Sequence, residues 1–162
     1  MNARRIAELG MLTGLALILF IIELRLPNLT PVPGVKPGLA NIVTVYAVFH
    51  YAPQETALLV LSRIVLGAIF AANPASLLYS AAGAAFCLCG MLSVRGFLSE
   101  QQIWLASVLG AVLHNVGQIT AAVLMMQTFA VIGYLPVLLF SGCIAGFVTG
   151  MAAQFLLRRK NL

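Results

Sequence analysis

The sequence predicts an all-α membrane protein, a single integral membrane domain over residues 1–162 built as a bundle of six transmembrane helices. Its composition is 62% hydrophobic and only 8% charged, whereas a soluble domain carries roughly a quarter of its residues charged. The charges collect between six apolar blocks, near 6–24, 38–52, 54–72, 74–94, 102–127 and 133–157. Most of these blocks have the roughly 20 residues that carry a helix across about 30 Å of hydrocarbon. Proline or charge punctuates most gaps, and no internal repeat or separate soluble domain is visible.

The first block follows Arg4 and Arg5, a pattern shared with signal peptides. Glu8 interrupts it and no small-residue cleavage site follows, so an uncleaved first span is expected. Ala3, Ala7, Gly10 and Gly14 lie on one helical stripe, and the step from Gly10 to Gly14 is a GxxxG spacing that lets a second helix approach closely. The stripe suits either docking of another protein or packing within this bundle.

The next stretch, RLPNLTPVPGVKPG, carries Pro27, Pro31, Pro33 and Pro37 and cannot be helical through its length. It is read as a stiff external loop, either a lid over a cavity or a plain connector. The second block, at about 15 residues and roughly 22 Å, is too short to cross alone unless the loop dips inward. Asn41 at its start, Glu23 at the end of the first span and Lys36 in the loop are candidates for lining a cavity mouth, with helix capping as the alternative role. His50, flanked by Tyr46 and Tyr51, is read as interfacial. Pro53 and Pro74 mark tight boundaries, so the helices on either side of each should be antiparallel neighbours.

Arg63 sits almost at the centre of the third block, where a charge is costly and usually functional. No carboxylate shares that level in the sequence: Glu8 and Glu55 belong near one membrane face, Glu100 to a loop and Glu23 near the opposite face. In the fourth block Cys87 and Cys89 are two apart, which points them to nearly opposite sides of a helix. With Cys143 they are expected to be buried small hydrophobes, not a zinc clip or redox pair.

The fifth block contains the densest polar cluster, His114, Asn115 and Gln118. At about 100° per residue these three form one wedge, edged by Gly110, Ala111, Gly117, Ala121 and Ala122. Val112, Val116, Ile119 and Val123 lie opposite and are expected to face lipid. Arg63, His114, Asn115 and Gln118 should then line one internal site. An anionic ligand would neutralise Arg63; carbonyls, amides or water are the alternative solvation, and interhelical hydrogen bonding is the alternative role of the amides.

Basic residues set the orientation. Arg4, Arg5, Arg95, Arg158, Arg159 and Lys160 fall on the side of the termini, against Arg25 and Lys36 on the other. Both termini are expected in the cytoplasm, in a multi-pass protein of the cell membrane. The net charge of +5 is thereby assigned to anchoring in membrane lipid, not to nucleic acid.

Enzyme chemistry finds little support. The chain has no aspartate, so it lacks the acidic magnesium clusters of a prenyl-diphosphate synthase, and no nucleophile, base and orienting group are spaced as a hydrolase needs. No glycine loop followed by lysine cradles a phosphate. The two histidines differ in depth, and no metal and no cofactor is assigned. The chain is therefore expected not to be an enzyme, and any ATP chemistry must come from a partner.

PGVKPGLANIVTVYAV (33–48), SRIVLGAIFAANPASLLYSAAGA (62–84) and GAVLHNVGQITAAVLM (110–125) resemble the Gx transporter family, also labelled heptaprenyl diphosphate synthase component I. Pro37 stands where that family's pattern suggests an aliphatic residue. The family is similar to the substrate-binding S components of energy-coupling-factor vitamin transporters. The resemblance implies a six-helix S-component-like bundle with internal termini, a ligand bound toward the external side under a loop, and a first helix whose small residues dock a coupling subunit powered by ATPases. The implied function is import of a small molecule, anionic or vitamin- or isoprenoid-like. An accessory subunit of a polyprenyl diphosphate synthase is the first alternative. A membrane subunit of a quinone- or flavin-linked electron-transfer system, with His114 and Arg63 holding a quinone carbonyl, is the second.

Overall fold

A computed structural model of the chain describes residues 2–25, 38–71 and 74–160. The proline-rich connection, with Lys36, lies outside them. All regular structure among the described residues is helical: α1 (Ala3–Arg25), α2 (Asn41–His50), α3 (Pro53–Ala71), α4 (Pro74–Val94), α5 (Ile103–Met126) and α6 (Leu135–Lys160), with a 3-10 segment at Phe129–Tyr134 leading into α6. Five of the six helices are long and apolar enough to cross a membrane. Their outward surfaces are correspondingly greasy: Met11, Ile69, Phe140 and Phe155 are all at least 65% exposed, a pattern that would drive aggregation in water and is neutral in lipid.

The exception is α2, shorter than the 15 residues expected. It has 10 residues, or about 15 Å. Gly38, at φ +83°, turns the chain into it through the left-handed region that glycine adopts at no steric cost, and the extended Tyr51 followed by Pro53 ends it. Short as it is, α2 is central, because it packs against all five other helices. Val43 and Ala47 join a core with Leu9, Ala16, Leu59 and Ile64, while Val45 and Val48 join a second with Met91, Ala106 and Ala153. Its last carbonyls, on Val48 and Tyr51, accept from the Arg95 guanidinium at 3.1 and 3.4 Å. A cation there complements the negative end of the helix dipole.

Helix directions alternate. Arg5 near the start of α1 forms a forked pair with Glu55 near the start of α3, at 3.0 and 2.9 Å, and Ser107 early in α5 bonds Thr149 late in α6 at 3.1 Å. Glu8 and Leu156 line one groove, so the two terminal helices bring their chain ends to the same end of the bundle.

The tightest packing joins α4, α5 and α6, and it runs on glycine. A Cβ at Gly117 would stand 2.6 Å from the Ala82 carbonyl oxygen, one at Gly146 2.9 Å from Val108 Cα, and one at Gly150 2.7 Å from Trp104 Cα. Held between α4 and α6, α5 meets only in part the expectation that its valine side faces lipid: Val116 and Val123 line an open groove with the exposed Leu124. Ile119 is buried, packed with Tyr79 and Leu138, and Val112, Val116 and Val123 are half-buried. The cysteines also depart from expectation: Cys87 is buried, but Cys89 and Cys143 are exposed on outward helix faces.

Candidate functional site

The polar residues of the apolar helices meet where α2 begins. Arg63 from the middle of α3, His114 and Gln118 from the middle of α5, Glu23 from the end of α1, Ser80 of α4 and the Gly38 turn line one cavity. The four larger polar side chains are nearly inaccessible: Arg63 is 6%, His114 5%, Gln118 2% and Glu23 1% exposed. Two glycines make the room. A Cβ on Gly83 would lie 2.8 Å from His114 Cε1 and 2.9 Å from Gln118 Cγ, and one on Gly38 2.8 Å from Asn41 Nδ2.

Glu23 organises this site. Its carboxylate accepts from the amides of Gly38 and Leu39, the latter at 3.1 Å, and it lines the same cavity as the Arg63 guanidinium. A carboxylate on the first amides leading into α2 satisfies donors the helix cannot use itself and compensates the positive end of its dipole. Sequence depth separates Glu23 from Arg63, yet both line one cavity. Measured from the Arg5–Glu55 pair, Glu23 is ten residues higher than Arg63, about 15 Å along the axes. Long side chains and the inward position of the α2 start bring their charges into one cavity, and sequence depth counts only Cα atoms.

In this cavity Arg63 Nε and Gln118 Oε1 have no hydrogen-bond partner, nor has Asn41 Nδ2 beside Gly38. A buried polar group left so typically costs about 1–3 kcal/mol. The cavity measures about 20 Å³, room for about one water. The arrangement is thus a nearly closed set of donors and acceptors in a cavity that holds one guanidinium and one carboxylate.

The residues named from sequence divide. Arg63, His114, Gln118 and Glu23 converge, and Asn41, 5% exposed, stands beside Gly38. Asn115 points elsewhere, its Nδ2 donating to the Leu138 carbonyl of α6 at 2.6 Å, so it ties two helices together and does not line the cavity. Lys36 lies outside the described residues. Ser80 was not named from sequence, and no spacing or charge signal points to it. On α1, Ala3, Ala7, Gly10 and Gly14 are all exposed, and a Cβ on either glycine would meet nothing within 4 Å.

A small helical bundle with five helices able to cross a membrane, one short inner helix and a buried polar cavity defines a multi-pass membrane component. Residues 12–156 match the family model for heptaprenyl diphosphate synthase component I. That match covers most of the chain, and the protein belongs to this family. No curated protein and no solved structure gives a match.

Proposed function

We propose that this chain is the substrate-binding, S-component-like subunit of an energy-coupling-factor-type importer, seated in the cell membrane with both termini cytoplasmic. The observation that carries the reading is the set of unpaired buried donors and acceptors on Arg63, Asn41 and Gln118, which a hydrogen-bonding ligand would satisfy. Glu23 sharpens the ligand class. With a carboxylate already lining the Arg63 cavity, a neutral or zwitterionic molecule with both donors and acceptors fits better than a simple anion. A cavity of about 20 Å³ admits no such molecule, so binding requires Glu23 and the Gly38 turn to move apart. Energy would come from separate ATPase and coupling subunits, and the open α1 stripe is the docking surface for the latter.

The test separates binding from transport. Replacing both Gly10 and Gly14 by Leu should abolish co-purification with a coupling subunit and uptake, while the isolated protein keeps its ligand and its melting temperature. Retained assembly and uptake would sink the docking surface. Within the site, Arg63→Met leaves Glu23 buried beside no cation and should cost about 3–5 kcal/mol. The double change Arg63→Met with Glu23→Gln should recover part of that loss in a thermal or denaturant melt in detergent. Additive losses would show that the two charges are not coupled.

The family's description favours one second reading, an accessory membrane subunit of a polyprenyl diphosphate synthase. It is distinguished by function in trans: purified protein that carries no small molecule but raises a prenyl synthase's turnover would replace the importer reading.

A further inference from the structure

The Arg63 cavity contains the parts of a carboxylate site, and one of the protein's own side chains fills it. Glu23, 1% exposed, places its Oε1 on the amides of Gly38 and Leu39 at the entry to α2. Two main-chain donors at the start of a helix favour an anion, because the helix cannot use them and its dipole is positive there. Arg63 opens into the same cavity with its Nε unpartnered, although the side chain is buried. Two amides and a guanidinium are donors suited to a carboxylate. Phe20, three residues before Glu23 and on the same face of α1, lines the cavity with it. Movement of this end of α1 would free the donors and widen the space in one step.

Charge selects what can take the place of Glu23. A neutral ligand offers these amides only an uncharged acceptor, and hydrogen bonds to an ionised group are roughly twice as strong, so it does not displace a carboxylate. A simple anion can, but it leaves two carboxylates against one guanidinium in the cavity, and a buried charge without a partner is strongly destabilising. A ligand with both a carboxylate and an ammonium group meets both demands. Its carboxylate takes the Gly38 and Leu39 amides and Arg63 Nε. Its ammonium donates to the displaced Glu23 and to Gln118 Oε1, a buried acceptor of this cavity that has no partner. Phe20 and Ile64 form apolar wall beside these groups, which suits an apolar side chain on the ligand.

Resting on the reading of this cavity as the substrate site, we propose that its ligand is an amino-carboxylate zwitterion, an amino acid with an apolar side chain, and that Glu23 holds the ligand's carboxylate position until the ligand displaces it. Glu23 thereby serves twice, on the helix amides before binding and on the ammonium group after it.

The test uses the full chain in neutral detergent and an equimolar mixture of the protein amino acids, dialysed to equilibrium and read by mass spectrometry. An apolar member should be retained saturably, at about one per chain. Its amide, which lacks the carboxylate, and its N-acetyl derivative, which lacks the ammonium charge, should each bind about tenfold more weakly or worse. Glu23→Gln keeps an acceptor for the Gly38 and Leu39 amides and should reverse the order of amino acid and N-acetyl derivative. The amino acid loses its ammonium partner, while the N-acetyl anion gains about tenfold because no carboxylate competes with it. A melting temperature close to that of the parent checks that the variant folds, and the derivative series on the unaltered chain stands without it. Equal binding of the three forms, retention of no member of the mixture, or an unchanged order in the folded variant would overturn the proposal. A ligand extracted from the purified protein and taken up by the assembled transporter, but without an amino-carboxylate pair, would overturn the zwitterion and leave the importer standing. A chain that retains no small molecule and raises a prenyl synthase's turnover would remove both.

Discussion

Two helices of this protein carry the same small-residue signature and use it in opposite ways. On α6, Gly142, Gly146 and Gly150 repeat every four residues, and each is pressed against α5. A Cβ at Gly146 would stand 3.0 Å from the Ser107 carbonyl oxygen, one at Gly150 2.6 Å from the Ser107 Cβ, and one at Gly142 would collide with the Asn115 amide. On α1, Ala3, Ala7, Gly10 and Gly14 keep a similar spacing and are all exposed, and a Cβ on either glycine would meet nothing within 4 Å. The GxxxG spacing therefore marks a surface able to be approached closely and does not say by what. In α6 the approaching helix is already in the chain, whereas in α1 the place is open.

The other side of α1 explains why its stripe stays outside. Leu9, Ala16 and Glu23 turn inward, Phe20 lies over Gly67 of α3, where a Cβ would stand 2.9 Å from the ring, and the Arg5–Glu55 fork pins the other end. With one flank so fixed, the stripe is rotated away from the bundle.

The contrast can be broken most forcefully at Gly146. Gly146→Leu must displace backbone atoms of α5, and it should cost about 3 kcal/mol or prevent the bundle from forming; a denaturant melt in detergent reads this directly, and a variant as stable as the parent would mean that α5 and α6 do not pack as described. A middle-sized effect is expected from the polar contacts beside that ridge. Asn115→Ala removes a short hydrogen bond to α6 and should cost about 1 kcal/mol, with ligand retention unaffected because Asn115 does not line the cavity; loss of ligand at unchanged stability would return it to the site. The smallest effect belongs to α1. Gly10→Ala with Gly14→Ala should leave stability unchanged or raise it by about 1–2 kcal/mol, since alanine favours helix over glycine and has open space to occupy. A marked loss of stability there would show that the stripe is packed internally and would remove the distinction between the two helices.

Much of this architecture follows from sequence alone. Composition and block length determine an all-helical membrane bundle, because the hydrocarbon demands that each crossing backbone satisfy its own hydrogen bonds. The same reasoning singles out Arg63, His114 and Gln118, since polar groups in such helices must face inward, and the short second block already signals a helix that does not cross by itself. Which inward-facing groups meet was decided by tertiary structure. Asn115 and Gln118 are three residues apart on α5, yet one faces α6 and the other the cavity, because α5 lies between α6 and α4 and its polar wedge is wide enough to touch both sides. Glu23 lines the Arg63 cavity because α2 starts inside the bundle and offers its free amides there. Helical periodicity supplies the angle of a side chain about its own axis and its height along it. The neighbour on that side depends on how all six helices are arranged, and that depends on packing of backbone against glycine between residues distant in the chain.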